Sequence, residues 1–261
     1  MLLHSKTMTM HGMDELKNSG LRGPWAQSEL ECSIGATEDR PTALMIQAQQ
    51  EFNLFQSKRP NAYDGQLAGL RGAWRGEAGL RLDLVPVSFS WYLATRDQEL
   101  KIDWPRADPI GTTTIVRTSD DHVLISKRSL EVDQNPGGLY FVGGFAEFTT
   151  EGQVDLFANA CREVAEETGL QIQQIVAATR LLGLEYDPEF PHPEAFFEMR
   201  LAIAADALVA ALQSFKHEEI ANFSVVRGPE FLSITTADAP LTWSFKTGRR
   251  LFAELAATMG A

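Results

Sequence analysis

The run Arg162-Glu163-Val164-Ala165-Glu166-Glu167-Thr168-Gly169-Leu170 carries three carboxylates that a helix would gather on one side. Successive helical residues turn by roughly 100°, so Glu166 and Glu167 flank Glu163 one turn further on. Like charges at these spacings weaken a helix, and a bound cation is the natural compensation. Hard divalent ions take oxygen ligands, and magnesium is commonly held by a few carboxylates together with substrate phosphates and water. Glu163, Glu166 and Glu167 are therefore candidate ligands for magnesium, with manganese as the alternative. The plain alternative is a solvated acidic helix face. The chain as a whole is acidic, with 35 Asp and Glu against 23 Lys and Arg and a net charge of −12. That balance opposes binding to a nucleic-acid backbone and requires a screening cation if the substrate is itself anionic.

These carboxylates need a helix under them and a loop in front of them. The sequence predicts a helix from about Gln153 to Thr168, closed by Gly169 where a left-handed backbone is favoured. Phe157, Ala160, Cys161 and Val164 form an adjacent apolar sector able to pack onto a sheet. Upstream, Thr112–Val116 and Val123–Ser126 read as hairpin strands, and Leu139–Val142 runs into Gly143-Gly144. Downstream, Ile172–Glu185, Ala195–Ile203 and Asn222–Val226 read as strands, with a Pro-rich loop from Asp187 to Pro193. Apolar residues from Leu241 to Leu255 recur at helical spacing. Interleaved strands and helices make the fold class α/β or α+β.

The region before Asp108 is less regular. Residues 1–40 lack sustained periodicity and are expected to be a flexible leader, with Met8, Met10 and Met13 as alternative starts. Residues 41–108 are expected to form an N-terminal α+β extension, with a helix over Thr42–Phe55, a strand from Leu80 and a β-prone stretch over Phe89–Leu93. Residues 109–261 are expected to form the main domain. Hydrophobic residues make up 44% of the chain, enough for a sizeable core. Cys32 and Cys161 have neither a disulfide framework nor metal-ligand spacing, and no signal-peptide core or membrane span is evident. The expected location is cytoplasmic.

Five fixed identities in the acidic run predict on the order of 10⁻⁴ chance matches in such a chain. Together with Gly143-Gly144-Phe145-Ala146-Glu147, the run resembles the signature of the Nudix hydrolase superfamily. The second half matches position by position. The first half departs: Gly144 to Arg162 is a step of 18 residues where the family pattern implies about 14. Counting back puts Val154 at the family's first Glu, with Glu151 or Asp155 as substitutes, and Val142 stands in place of the usual Pro.

The resemblance implies a mixed sheet sandwiched between helices and magnesium-dependent hydrolysis of a nucleoside diphosphate linked to another group. It also implies roles: Glu163, Glu166 and Glu167 as metal ligands, the Gly144 carbonyl as a further ligand, and Arg162 orienting a glutamate. An acid from His217-Glu218-Glu219, with Glu218 favoured, would be an added ligand or general base. Tyr63-Asp64-Gly65, Trp91-Tyr92, Asp108-Pro109-Ile110-Gly111, Lys127-Arg128-Ser129 and Pro136-Gly137-Gly138 are similar in order to the subgroup that splits UDP-glucose and UDP-galactose. Another nucleoside diphosphate derivative (ADP-ribose, a CoA ester or a damaged nucleotide) and a non-catalytic nucleotide-binding module are the competing readings. Arg128 suits a phosphate or is a solvated strand end. Tyr92 suits stacking on a base or filling core. A homo-oligomer is compatible with the sequence but not specified by it.

Overall fold

The computed structural model describes residues 12–97, 104–132, 134–213, 215–237 and 239–259. A large mixed sheet forms the centre of the protein. It comprises β1 (Leu21–Trp25), β5 (Gly111–Arg117), β6 (His122–Arg128), β7 (Leu139–Tyr140), β8 (Val142–Phe145), β9 (Val176–Asp187), β10 (His192–Leu201) and β11 (Ile220–Arg227). The order is β1-β9-β10-β5-β6-β11. Only β10 and β5 run parallel; the other neighbours are antiparallel. Strands β5 and β6 pair at Arg117 and Val123 and then part. The fork between them is filled by β8 against β5 and β7 against β6. This fork brings Gly143 and Gly144 to the centre of the sheet.

Strand alternation sorts the core into two faces. Ile115, Val123 and Ile125 pack with Phe141, Phe196, Phe245 and Phe252, beneath α7 (Gly228–Ser233) and α8 (Trp243–Met259). Val116, Leu124, Val142 and Met199 face the other way, toward Val164 of α4 (Leu156–Thr168) and Leu208 of α6 (Ala205–Leu212). A one-turn helix, α5 (Ile172–Ile175), links α4 to β9, so the strand expected from Ile172 begins at Val176. Among the described residues no helix is long and apolar enough to cross a membrane.

A second sheet has the order β2-β4-β3, from β2 (Leu30–Ile34), β3 (Gln66–Gly76) and β4 (Gly79–Ser88). Leu70, Leu80, Leu82 and Leu84 share one apolar cluster with Phe157 and Ala160 of α4 and Phe197 of β10. The small sheet is thus welded to the α4 side of the large one.

The reading of residues 1–40 as a flexible leader is corrected by this arrangement. Residues 12–19 form helix α1, with Leu16 buried in the shared cluster. Strand β1 pairs with β9, and β2 pairs in parallel with β4. These strands are held by long-range pairing, which leaves little local signature in the sequence. Residues 1–11, and with them Met8 and Met10, lie outside the described residues. The helix expected at Thr42–Phe55 is α2 (Thr42–Lys58). The β-prone stretch Phe89–Leu93 is instead helix α3 (Phe89–Thr95). Ser88 caps it by accepting the Trp91 amide at 3.2 Å, and Asp64 accepts the Ser90 amide at 2.7 Å. Two caps outweigh the β propensity of the aromatics.

Candidate active site

Helix α4 starts at Leu156 because Asp155 caps it, accepting the amides of Phe157 and Ala158 at 2.9 and 3.0 Å. It ends at Gly169, whose φ of 70° is the left-handed turn that stops the helix. Between these caps the apolar stripe faces the sheet, and the acidic side lies along a cleft of about 1100 Å³. Glu163 and Glu167 are buried and Glu166 is exposed.

Arg162 spans the cluster. Its guanidinium donates to Glu163 at 2.7 Å, to Glu166 at 2.9 Å and to Asn159 at 2.7 Å. Asn159 in turn donates to the Thr112 hydroxyl at 2.8 Å, which donates to the Gly144 carbonyl at 3.0 Å. One chain of hydrogen bonds therefore fixes α4 against the Gly-Gly strand. The Glu163 carboxyl lies close over the Gly144 α-carbon, a position that only glycine leaves open.

The cluster is short of positive charge. Burial pushes the Glu163 carboxyl up to about 7; Arg162 opposes this, while Glu166 and Glu147 reinforce it. Burial also holds Glu167 well above the usual carboxylate range, with the charges of Glu163 and Glu219 adding to the effect. Among the described residues no three acidic, imidazole or thiol groups converge as a ready-made metal cage. The donor set is nonetheless all hard oxygen, partly buried and under-compensated. That fits a magnesium site completed by phosphate oxygens and water, not an all-protein one.

The acid nearest the missing first Glu is not the one expected. Val154 packs against the core, Glu151 is exposed and bonded to Thr150, and Asp155 is spent on the helix cap. Glu147 reaches the cleft instead. It accepts a short hydrogen bond from the Tyr63 hydroxyl and sits close enough to Glu163 to raise it. Its place three residues after Gly144 was the available signal, masked by counting from Arg162 across a lengthened loop.

The later loop brings both Glu218 and Glu219 to the cleft. Glu218 is exposed at the cleft rim. Glu219, half-exposed, lies within 3.6 Å of Arg128 and 3.7 Å of Arg59, and its charge acts on Glu167. Arg128 is held over the Tyr140 ring, 5.1 Å to its centroid, and donates to the Gln134 carbonyl at 3.0 Å. It faces the cleft as an anchored cation.

Tyr92 does not present a stacking face. It is 1% exposed, with Phe145 and His192 edge-on to it at 4.9 and 5.9 Å, and its hydroxyl accepts from Gln134 at 3.1 Å. Its ring supports the cleft wall from behind. Trp91 is likewise core, its indole donating to the Pro105 carbonyl at 2.8 Å. The cleft is shared between the two parts of the chain: α2 contributes Phe55 and Lys58, and Arg59, Tyr63 and Arg96 follow from the same half.

The family model for the NUDIX domain matches residues 108–247, more than half of the chain. No curated protein matches. Similar solved structures include the MutT protein from Methanosarcina mazei Go1, 18% identical over 56% of this chain and 94% of that one, with a TM-score of 0.39. Another is the NUDIX domain of Shewanella oneidensis NrtR complexed with ADP ribose, 16% identical over 65% of this chain and 99% of that one, with a TM-score of 0.41. A third is the C. elegans Ap4A hydrolase, 14% identical over 57% of this chain and 98% of that one, with a TM-score of 0.39. Matched along residues 108–247, with its acidic helix set against a Gly-Gly strand at the cleft, the chain belongs to the Nudix family of pyrophosphohydrolases, which act on nucleoside diphosphates linked to another group.

Proposed function

We propose that the protein hydrolyses the diphosphate of a UDP-sugar to UMP and a sugar 1-phosphate, using the acids of α4. The observation that carries the reaction is the under-compensated carboxylate cluster facing the cleft: Glu163, Glu166 and Glu167, with Glu147 beside them. A divalent cation bound there would neutralise phosphate oxygens and acidify a water. Arg162 keeps Glu163 and Glu166 aimed along the cleft through two charged hydrogen bonds, a positioning role. Arg128 offers a planar guanidinium to a phosphate oxygen. Glu219, turned toward Glu167, is better placed than Glu218 to take a proton from the attacking water.

Support for a sugar nucleotide is of two kinds. The motifs from Tyr63 to Gly138 resemble the UDP-sugar subgroup, and several of them (Tyr63, Gly111, Arg128) meet at the cleft. The cleft volume of about 1100 Å³ also exceeds what a diphosphate alone requires and suits a two-part ligand. The test is a panel of UDP-glucose, UDP-galactose, ADP-ribose and a CoA ester with and without magnesium, read as phosphate released by an added phosphatase. Preferred, magnesium-dependent turnover of the UDP-sugars is expected. Preference for another member would replace the substrate, and nucleotide binding without turnover of any member would leave a binding module.

A further inference from the structure

Away from the acidic helix, the cleft is lined by Tyr140 and by Asp187, His192 and Ser244, whose hydrogen bonds leave each of the three with a spare acceptor. Glu194 lies behind them, 1% exposed, as a buried acceptor. It takes the Ser244 hydroxyl proton at 2.8 Å and that of Thr113 in a short bond, with the Tyr140 hydroxyl at 3.4 Å. With its proton drawn inward, the Ser244 oxygen can show the cleft only lone pairs. His192 is 8% exposed, and its Nδ1 meets the Phe190 carbonyl at 2.5 Å, so Nδ1 carries the proton. Its Nε2 is then a bare acceptor. Burial lowers the ring to about 4, so it remains neutral under ordinary conditions. Asp187 uses one oxygen for the amides of Glu189 and Phe190, at 2.6 and 3.1 Å.

We propose that Asp187, His192 and Ser244 form an acceptor wall that selects the hydroxyl-rich glycosyl part of the substrate. The assignment deepens, and rests on, the reading of the substrate as a sugar nucleotide. A wall of acceptors repels phosphate oxygens and leaves base carbonyls unpaired, whereas adjacent sugar hydroxyls can each donate to it. Its position also fits. His192 lies against Gly111, one strand residue (roughly 3.4 Å) from Thr112, which bonds the Gly144 carbonyl beside Glu163. Arg128, stacked on Tyr140 and paired with Glu219, stands between wall and acids where a diphosphate would cross. The sugar would thus occupy the end of the cleft lined by β10 and α8, and the reacting phosphate the end lined by α4.

The test compares UDP-glucose with the ethyl ester of UDP, which keeps the diphosphate and lacks the sugar hydroxyls. The ratio of their kcat/KM values is measured at pH 8 for the native chain, Asp187→Asn and Ser244→Ala, each checked for a cooperative melt. A fall in the ratio of about tenfold or more in each folded variant is expected, since each loses a ligand hydrogen bond. Ser244→Ala removes a single oxygen and decides the matter if Asp187→Asn does not fold. A ratio within twofold of native in the folded variants overturns the wall. The same ratio for ADP-ribose over ADP ethyl ester separates the two claims. Native preference for the adenine pair rejects the uridine substrate while the wall still requires the ratio to fall. Native indifference between glycosyl and ethyl esters of both bases rejects the wall.

Discussion

The carboxyl of Glu163 stands over Gly144 so closely that a β-carbon there would lie 2.6 Å from its Oε2. Glycine at this position therefore governs where the carboxylate can be. Gly144→Ala should displace Glu163 and lower kcat by about 10² or more, the scale of losing one preorganised charge in an active site. Circular dichroism should show the fold retained. Turnover within about threefold of native would mean that Glu163 needs no such placement.

Glu167 presents a different trade. Its carboxyl is buried among other negative charges and raised well above the usual range. Glu167→Gln removes that repulsion while keeping an acceptor for the Gly143 amide. Without metal, the variant should melt a few degrees higher, about 1 kcal/mol more stable. Its turnover should nonetheless drop by orders of magnitude. A variant both less stable and fully active would reverse the reading of this group.

Glu218 and Glu219 are neighbours in sequence with different surroundings. Glu219→Gln should cut kcat by about 10² to 10⁴ and remove the acidic limb of the pH–rate profile, as expected of a lost general base. Glu218→Gln, at the exposed rim, should stay within a few-fold of native. Interchanged results would restore Glu218 as the acting acid.

Stability should depend on pH through the buried wall. Burial raises Glu194 to about 7 and Asp187 to about 6. A carboxyl raised on folding binds its proton more tightly when folded, so its stabilising contribution is present at low pH. That contribution is lost as pH rises from about 4.5 to 7 for Glu194, and from about 3.8 to 6 for Asp187. His192, lowered to about 4, works the other way, its penalty appearing as pH falls below 6.5. The melting temperature of Glu194→Gln relative to native should therefore rise between pH 4.5 and 7 and level off above. A flat difference would show that Glu194 titrates normally.

Much of this site was legible because it is local. The spacing from Arg162 to Gly169 fixes a helix, its stop and its acidic side without reference to the rest of the chain. The short strands were legible locally, as around Ile115 and Val116, which lie on opposite faces, whereas the mixed sheet was implied only by the family resemblance. What depended on distant partners was not legible. Strand β1 (LRGPW) has no alternation to betray it and exists through its pairing with β9. That Glu219 pairs with Arg59 and Arg128 depends on residues far away in the chain, Arg128 lying about ninety residues earlier. Between stacking on a base and filling core, the sequence leaves Tyr92 open until Phe145 and His192 are seen to enclose it. Glu147 was visible beside Gly144, but only the folded loop shows that it, and not Val154, reaches Glu163.

The central claim is that the acids of α4 hold the divalent ion that diphosphate cleavage needs. Manganese binding, followed by electron paramagnetic resonance with UDP present, tests it most directly in native protein and in Glu163→Gln. The account predicts saturable uptake by the native chain and an affinity at least about tenfold weaker in the variant. Equal uptake by both, or none by either, would contradict it.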